Sequence, residues 1–208
     1  MQIDPDQLTV KENYKLMIGS IVPRPIAFVS TISQSGVFNL APYSFFMGIT
    51  SNPPTIGFAP ARKGHSGDKK DTLSNIETIK EFVVNIVTED IAEQMNETAT
   101  DFPADVDEFE IAGLTPVKSR VVKPPCVAES PINMECRLHD IVYIGKEEPG
   151  GGALVIGRIV MFHVRDDLIE NGRIDTGLLR PVGRLAGKEY TTLGKRFSLE
   201  RKPYKGKI

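Results

Sequence analysis

The stretch that decides the fold runs Asn39-Leu40-Ala41-Pro42-Tyr43-Ser44-Phe45-Phe46, an apolar segment typical of a β-strand that contains a proline and a small polar residue. Proline removes a donor from the hydrogen-bond ladder of a sheet, so Pro42 is unusual inside a core strand. A bulge at this point would free neighbouring N–H and C=O groups to face a ligand. The segment therefore predicts either a plain core strand or a strand whose backbone meets the polar edge of a flat ring.

A second informative segment is the polar stretch from Arg62 to Lys70, which contains two Gly, one His, one Ser and five charged residues. Apolar residues recur at helical spacing from Thr72 onward, with Asp71 or Thr72 available as the N-cap. A helix N-terminus offers free N–H groups and the positive end of its dipole, and Arg62 and Lys70 add cations suited to phosphate. The alternative is a solvated loop ahead of a capped helix.

A flat heterocycle joined to a phosphate describes a flavin mononucleotide, FMN, so the two segments together indicate an FMN site. The three histidines share no spacing with each other or with Cys126 and Cys136, and we expect no metal site. Two cysteines in 208 residues indicate buried thiols in a reducing, cytoplasmic setting. A net charge of -2 argues against a nucleic-acid partner, and no apolar run is long enough for a membrane span.

The rest of the chain predicts hairpins with a few short helices. Turn signals at 33–36 and 52–54 separate apolar runs, and two long strand-like segments, 134–144 and 153–164, flank a Gly-rich tip. Helices are expected from about residue 72 and about residue 88, residues 1–20 as a loop or short helix, and residues 100–125 as irregular. The predicted class is mainly β with inserted helices, a Greek-key or closed barrel in one domain over 1–208.

These pieces, taken in order, resemble the flavin reductase-like family of FMN-binding split barrels, which includes flavoredoxins and the reductase components of two-component monooxygenases. The resemblance covers about residues 14–190. The segments that carry it run from Pro23 to Thr31, from Asn39 to Phe46, from Lys70 to Leu73, from Phe82 to Asn85 and from Gly183 to Tyr190, together with the Pro53-Pro54 pair.

The resemblance implies a six-stranded Greek-key barrel, a homodimer, and FMN near the dimer interface. The ring would lie along Asn39 to Phe46, the phosphate would be held by Arg62, Lys70 and Thr72, and Arg184 and Tyr190 would lie near the open face of the ring. The cofactor-binding residues expected on this basis are Asn39, Ala41, Pro42, Tyr43, Ser44, Phe45, Arg62, Lys70, Thr72, Arg184 and Tyr190.

The chemistry implied by the resemblance has two versions, and the sequence does not separate them. In the first, the chain is an NAD(P)H:flavin oxidoreductase that transfers hydride from NAD(P)H to the flavin, with the cofactor performing the chemistry and no general acid or base required. In the second, it is a flavoredoxin-like FMN electron carrier reduced by a partner protein. The resemblance also implies a flavin-dependent monooxygenase as a candidate partner, and no catalytic side chain is assigned.

Overall fold

The computed structural model describes residues 1–203, which form thirteen strands and a few short helices. The strands are β1 (Ala27–Ile32), β2 (Phe38–Tyr43), β3 (Phe46–Ser51), β4 (Pro54–Phe58), β5 (Glu81–Ile86), β6 (Pro116–Val117), β7 (Cys126–Val127), β8 (Ile132–Ile144), β9 (Gly152–Val164), β10 (Ile169–Glu170), β11 (Arg173–Ile174), β12 (Gly183–Arg184) and β13 (Tyr190–Thr191). The α-helices are α1 (Val10–Ser20), α2 (Asp71–Ile79), α3 (Ala92–Glu97), α4 (Glu108–Ala112) and α5 (Thr176–Leu179), and 3-10 turns cover Pro5–Gln7, Glu89–Ile91 and Asp166–Leu168.

Seven of the strands form one antiparallel sheet in the order β2-β1-β5-β8-β9-β4-β3. The predicted hairpins β1–β2, β3–β4 and β8–β9 are all present. The hairpins are joined by pairings between strands that are distant in sequence, β1 with β5 and β4 with β9. The predicted class, mainly β with inserted helices, is confirmed.

The stretch from Asn39 to Phe46 is not one strand. It ends β2 at Tyr43 and starts β3 at Phe46, so the main sheet has seven strands where the family resemblance implied six. Pro42 stays within β2, opposite Phe28, and the chain breaks instead at Ser44 and Phe45. Pro42 is tolerated there because β2 is an edge strand that pairs only with β1.

The short link between β2 and β3 dictates that the sheet curls. These strands form the two opposite edges of the sheet, yet only Ser44 and Phe45 separate them. Three extended residues span at most about 11 Å, so the two edges come this close at the link. The result is a barrel that is split between β2 and β3, with Ser44 and Phe45 crossing the gap.

The core explains why β1 reads as a continuous apolar run. Ala27 and Val29 pack inside the sheet with Phe58 and Phe82, while Phe28 points the other way into a second buried cluster. That second cluster includes side chains from α3 and α4, which cover the outer face of the sheet. Because β1 is buried on both faces, its residues are apolar without alternation.

Two predicted regions differ in detail. Residues 1–20 contain an eleven-residue helix, α1, which starts with a capping box formed by Thr9 and Glu12. Residues 100–125 are mostly irregular, as predicted, but they include α4, whose N-cap Asp107 accepts a hydrogen bond from Phe109 N. Every helix within residues 1–203 is too short or too polar to cross a membrane.

Candidate functional site

A pocket lies between β2 and the start of α2, and we call it the β2–α2 pocket. Its walls come from β2 and the Ser44–Phe45 link, from the first residues of α2, from the segment 98–102 and from Glu108. Eight of the eleven predicted cofactor-binding residues line it: Asn39, Ala41, Pro42, Tyr43, Ser44, Phe45, Lys70 and Thr72. The fold thus brings the predicted ring segment and most of the predicted phosphate segment to one place.

Backbone donors are available where the barrel is split. The Phe45 carbonyl accepts a hydrogen bond from Ala59 N at 2.8 Å, which fixes the link beside β4. Within residues 1–203, the N–H groups of Ser44 and Phe45 donate to no acceptor, because both residues lie outside the ladders of β2 and β3. Two neighbouring free N–H groups on the pocket wall suit the polar edge of a heterocycle. The sequence predicted such groups beside Pro42, whereas the structure has them at Ser44 and Phe45.

The start of α2 is left open toward the pocket. Its N-cap is Lys70, and no side chain caps the helix, so the predicted capping by Asp71 or Thr72 was wrong. The reason is that both side chains have other partners. Thr72 is buried and its Oγ1 accepts from Asn39 Nδ2 at 2.8 Å, while Asp71 forms an ion pair with Lys63 Nζ at 3.1 Å. The first N–H groups of α2 therefore remain free to bind an anion.

The Tyr43 hydroxyl is a further polar group without a partner. Tyr43 is 8% exposed, and its hydroxyl faces Thr72 without forming a hydrogen bond of normal geometry to any residue in the described part of the chain. Burial raises the pKa of this phenol, so it remains a neutral donor. A buried unpaired donor is costly, and a bound acceptor would relieve that cost.

Three carboxylates on the pocket wall would oppose a phosphate, but none is a free charge. Asp71 is paired with Lys63, and Asp101 is paired with Lys70. Burial raises the pKa of Glu108 to about 7, with Asp71 and Asp107 adding to the shift, so this group is partly protonated at neutral pH. The residues present therefore fit a flavin phosphate.

Arg62 lies outside this pocket. Its guanidinium donates to the Gly67 carbonyl at 2.9 Å and to Glu147 at 2.8 Å, at the tip of the β8–β9 hairpin. Of the three residues predicted to hold a phosphate, the structure brings Lys70 and Thr72 together and keeps Arg62 on its own partners. A role for Arg62 in binding stays a prediction.

Arg184 and Tyr190 line an adjoining pocket, the tail pocket, which shares Pro42 and Ser44 with the first. The Arg184 guanidinium lies over the Tyr190 ring, 4.3 Å from its centroid, and donates to the Gly187 carbonyl at 2.6 Å. The Tyr190 hydroxyl donates to Asn96 at 3.1 Å. Both predicted residues are therefore near the split of the barrel, on the far side of the link.

Arg24 fastens the link to the C-terminal segment, a role that sequence reasoning missed. It is 3% exposed and donates to Ser44 Oγ at 3.3 Å and to the Leu185 carbonyl at 2.9 Å, as well as to two carbonyls at the end of α1. The partners of Arg24 among the described residues are a hydroxyl and three carbonyls rather than a carboxylate, and burial lowers the pKa of its guanidinium without discharging it. The signal available was the Pro23-Arg24-Pro25 motif, which entered the prediction only as part of the segment from Pro23 to Thr31 that carries the family resemblance.

A second cluster of polar groups lies away from both pockets. Ligand-type atoms of Cys126, Glu135 and His163 lie within 4.8 Å of one another, although their sequence spacing indicated nothing. Glu135 is fully buried and accepts hydrogen bonds from the backbone N–H groups of residues 120–122 and from His163. Burial acts to raise the pKa of Glu135, but the hydrogen bonds from these donors outweigh it, so the net pKa lies below the usual value. The ionised carboxylate therefore holds the loop of residues 120–122 through its backbone N–H groups. Cys126 and Cys136 are free and buried, as predicted.

The chain belongs to the flavin reductase-like family, since the family model described as Flavin reductase like domain matches residues 18–180. Nitrilotriacetate monooxygenase component B from Bacillus cereus is 44% identical, with a TM-score of 0.91 over 96% of this chain and 98% of that one. A 2-nitrobenzoate 2-nitroreductase from Pseudomonas fluorescens is 34% identical, with a TM-score of 0.87 over 99% and 100% of the two chains.

The split barrel itself also has a solved counterpart. A protein from Shewanella frigidimarina whose description names a split barrel domain is 25% identical, with a TM-score of 0.81 over 98% of this chain and 99% of that chain. The predicted family and fold are thus confirmed. A flavin-binding, reductase-like protein is the class that the fold and the family define.

Proposed function

We propose that the β2–α2 pocket binds FMN and that the chain is an NAD(P)H:flavin oxidoreductase. The observation that carries the proposal is the combination, in one pocket, of free backbone N–H groups at Ser44 and Phe45 with an uncapped helix start beside Lys70. The first suits the polar edge of the ring and the second suits the phosphate. Both features line one pocket, which supports a ring joined to a phosphate rather than two separate ligands.

Each residue has a defined part in this proposal. Lys70, Thr72 and the first N–H groups of α2 bind the phosphate, and the free Tyr43 hydroxyl donates to the ligand from the same wall. The N–H groups of Ser44 and Phe45 donate to the ring edge, where they stabilise the negative charge that develops on reduction. Bound FMN supplies the hydride and electron chemistry, and the protein orients it.

The electron donor in this proposal is a reduced nicotinamide nucleotide. Its phosphates are anionic, and the tail pocket presents Arg184 over the Tyr190 ring, with the charge of the buried Arg24 nearby. The rival candidate is an electron carrier that a partner protein reduces. The likeness to nitrilotriacetate monooxygenase component B supports a flavin-dependent monooxygenase as acceptor of the electrons. The two free thiols fit a cytoplasmic protein.

Wild-type protein should bind FMN at micromolar concentration and be reduced by NADH or NADPH. We expect Arg184→Ala to raise the nicotinamide nucleotide concentration needed for half-maximal reduction by about tenfold, because a hydrogen-bonded charge contact is lost. The measurement is calorimetry with FMN, FAD and riboflavin, followed by stopped-flow reduction at saturating FMN. Arg180→Ala is the matched control, because Arg180 pairs with Glu89 and lies in neither pocket.

The outcomes separate the two candidates. Binding of FMN without reduction by NADH or NADPH, but with reduction by dithionite, would establish the carrier and remove the assigned role of Arg184. Absence of FMN binding would reject the proposal altogether.

We also propose a homodimer. The edge strand β3 is apolar in sequence yet exposed, with Met47 at 53% and Ile49 at 44%, and Ile21 and Val22 are exposed as well. Obligate dimer interfaces are large and apolar, and an uncovered apolar sheet edge invites association. Sedimentation should therefore give twice the 22.9 kDa mass of the chain, and Met47→Asp should shift it toward monomer. A 22.9 kDa species that binds FMN tightly would contradict the dimer.

A further inference from the structure

The segment 99–105 contributes residues 99–102 to the wall of the β2–α2 pocket and has few attachments. Its backbone hydrogen bonds are local, reaching no further than Asn96 on one side and Val106 on the other. In the described part of the chain, the hydrogen-bonded ion pair between Lys70 Nζ and Asp101 is its only polar link to a distant element. Most of its residues are exposed. We call this segment the strap. The side chain of Lys70 holds it in place through Asp101.

The cation that holds the strap is also the cation that faces the phosphate position. Lys70 is the N-cap of α2 and lines the pocket, and Asp101 lines the same pocket. Their side chains are 28% and 35% exposed, so the pair is partly screened by water. An ammonium group has three donors, yet a phosphate dianion and a carboxylate placed on the same side of it repel each other.

We propose that Asp101 is a specificity-determining residue that competes with the ligand's phosphate for Lys70. Without ligand, Asp101 occupies Lys70 and the strap is fastened to the start of α2. A phosphate at the start of α2 takes over Lys70 and displaces Asp101, which releases the strap. Asp101 thereby weakens the binding of phosphate-bearing flavin and leaves the binding of phosphate-free flavin unaffected. The ratio of the affinities for FMN and riboflavin is therefore lower than Lys70 and α2 alone would give. This inference rests on the proposed FMN site.

The first test measures affinity. Calorimetry with FMN and riboflavin compares wild type with Asp101→Asn, Asp101→Glu and Asp105→Asn. We expect Asp101→Asn to raise the affinity for FMN by about three- to tenfold, because the substitution removes both the competing ion pair and a like charge near the phosphate. Riboflavin should change by less than about twofold, because it carries no phosphate to compete for Lys70. Asp101→Glu keeps the charge, so its affinity for both flavins should stay near that of wild type. Asp105→Asn is the matched control and should also bind like wild type, because Asp105 is an exposed residue of the strap that does not line the pocket.

The second test needs no flavin. In the flavin-free protein, hydrogen exchange at the amides of Phe102 and Val106, which donate to the strap carbonyls of Thr100 and Pro103, should be at least about threefold faster in Asp101→Asn. Asp105→Asn should exchange like wild type.

Each outcome bears on a definite statement. Unchanged or weaker FMN binding by Asp101→Asn, or an equal gain for riboflavin, would overturn the role of Asp101 while the FMN site stands. Unchanged exchange would show that the pair does not fasten the strap. If wild type binds neither flavin, the proposed function fails first, and the exchange result alone then judges the strap.

Discussion

Lys70→Ala is expected to weaken FMN binding by about ten- to a hundredfold, because a hydrogen bond to a charged group is worth about 1.5–3 kcal/mol. Lys70 is the only lysine on the wall of the β2–α2 pocket, in the described part of the chain. Riboflavin should lose less than about threefold, since it lacks the phosphate that the lysine would bind.

The control for this prediction is the neighbouring lysine. Lys69 bonds to Glu77 at 2.8 Å and does not line the pocket, so Lys69→Ala should leave both flavins bound as in wild type. Arg62→Ala tests the other predicted phosphate ligand. Because Arg62 is held by Gly67 and Glu147, we expect a smaller loss than for Lys70. Equal losses of FMN and riboflavin for Lys70→Ala would mean that the lysine acts on folding or on the ring instead.

The sequence predicted the strands and hairpins because their signals are local. The turn at Ser33 to Gly36 and the apolar run of β1 depend only on neighbouring residues. The break at Ser44 and Phe45 could not be placed, because both flanking runs are apolar. Only the sheet separates them, since β2 pairs with β1 at one edge and β3 pairs with β4 at the other. Pro42 drew attention because it breaks ladders in general, but on an edge strand it breaks nothing.

The candidate site was predictable to the same extent. The strand and the helix start that form its two main walls carry recognisable residues, and eight of the predicted residues do meet in one pocket. Glu108, Asp101 and Arg24 were missed, because each acts through a partner that is distant in sequence: Leu40, Lys70 and Leu185. The N-cap at Asp107 was a local signal for α4 that could have been found.

Glu108→Gln should stabilise the flavin-free protein by about 3 kcal/mol at pH 8. Glu108 is 7% exposed, and its Oε2 accepts a hydrogen bond from Leu40 N at 3.1 Å, a bond that the glutamine oxygen can also accept. Burial raises its pKa from 4.5 to about 7 in the folded chain, so ionisation costs more when the chain is folded than when it is unfolded. At pH 8 the wild type bears this whole cost, and a neutral amide avoids it.

The sign of the pH dependence follows from the same shift. Between pH 4.5 and 7 the folded wild type holds a proton at Glu108 that the unfolded chain has lost, so the stability of wild type falls as pH rises through this window. The advantage of Glu108→Gln should therefore be below about 1 kcal/mol at pH 5, near its full size above pH 7, and nearly constant beyond.

Urea unfolding at pH 5 and pH 8 measures this difference directly. Glu110→Gln, an exposed substitution in the same helix, is the matched control and should be neutral at both values. A Glu108→Gln advantage that is equal at the two pH values would show that the gain comes from packing or solvation of the amide. A loss of stability at pH 8 would show that the carboxylate makes a favourable contact when ionised. That result would also count against a Glu108 that is partly protonated at neutral pH on the wall of a phosphate pocket.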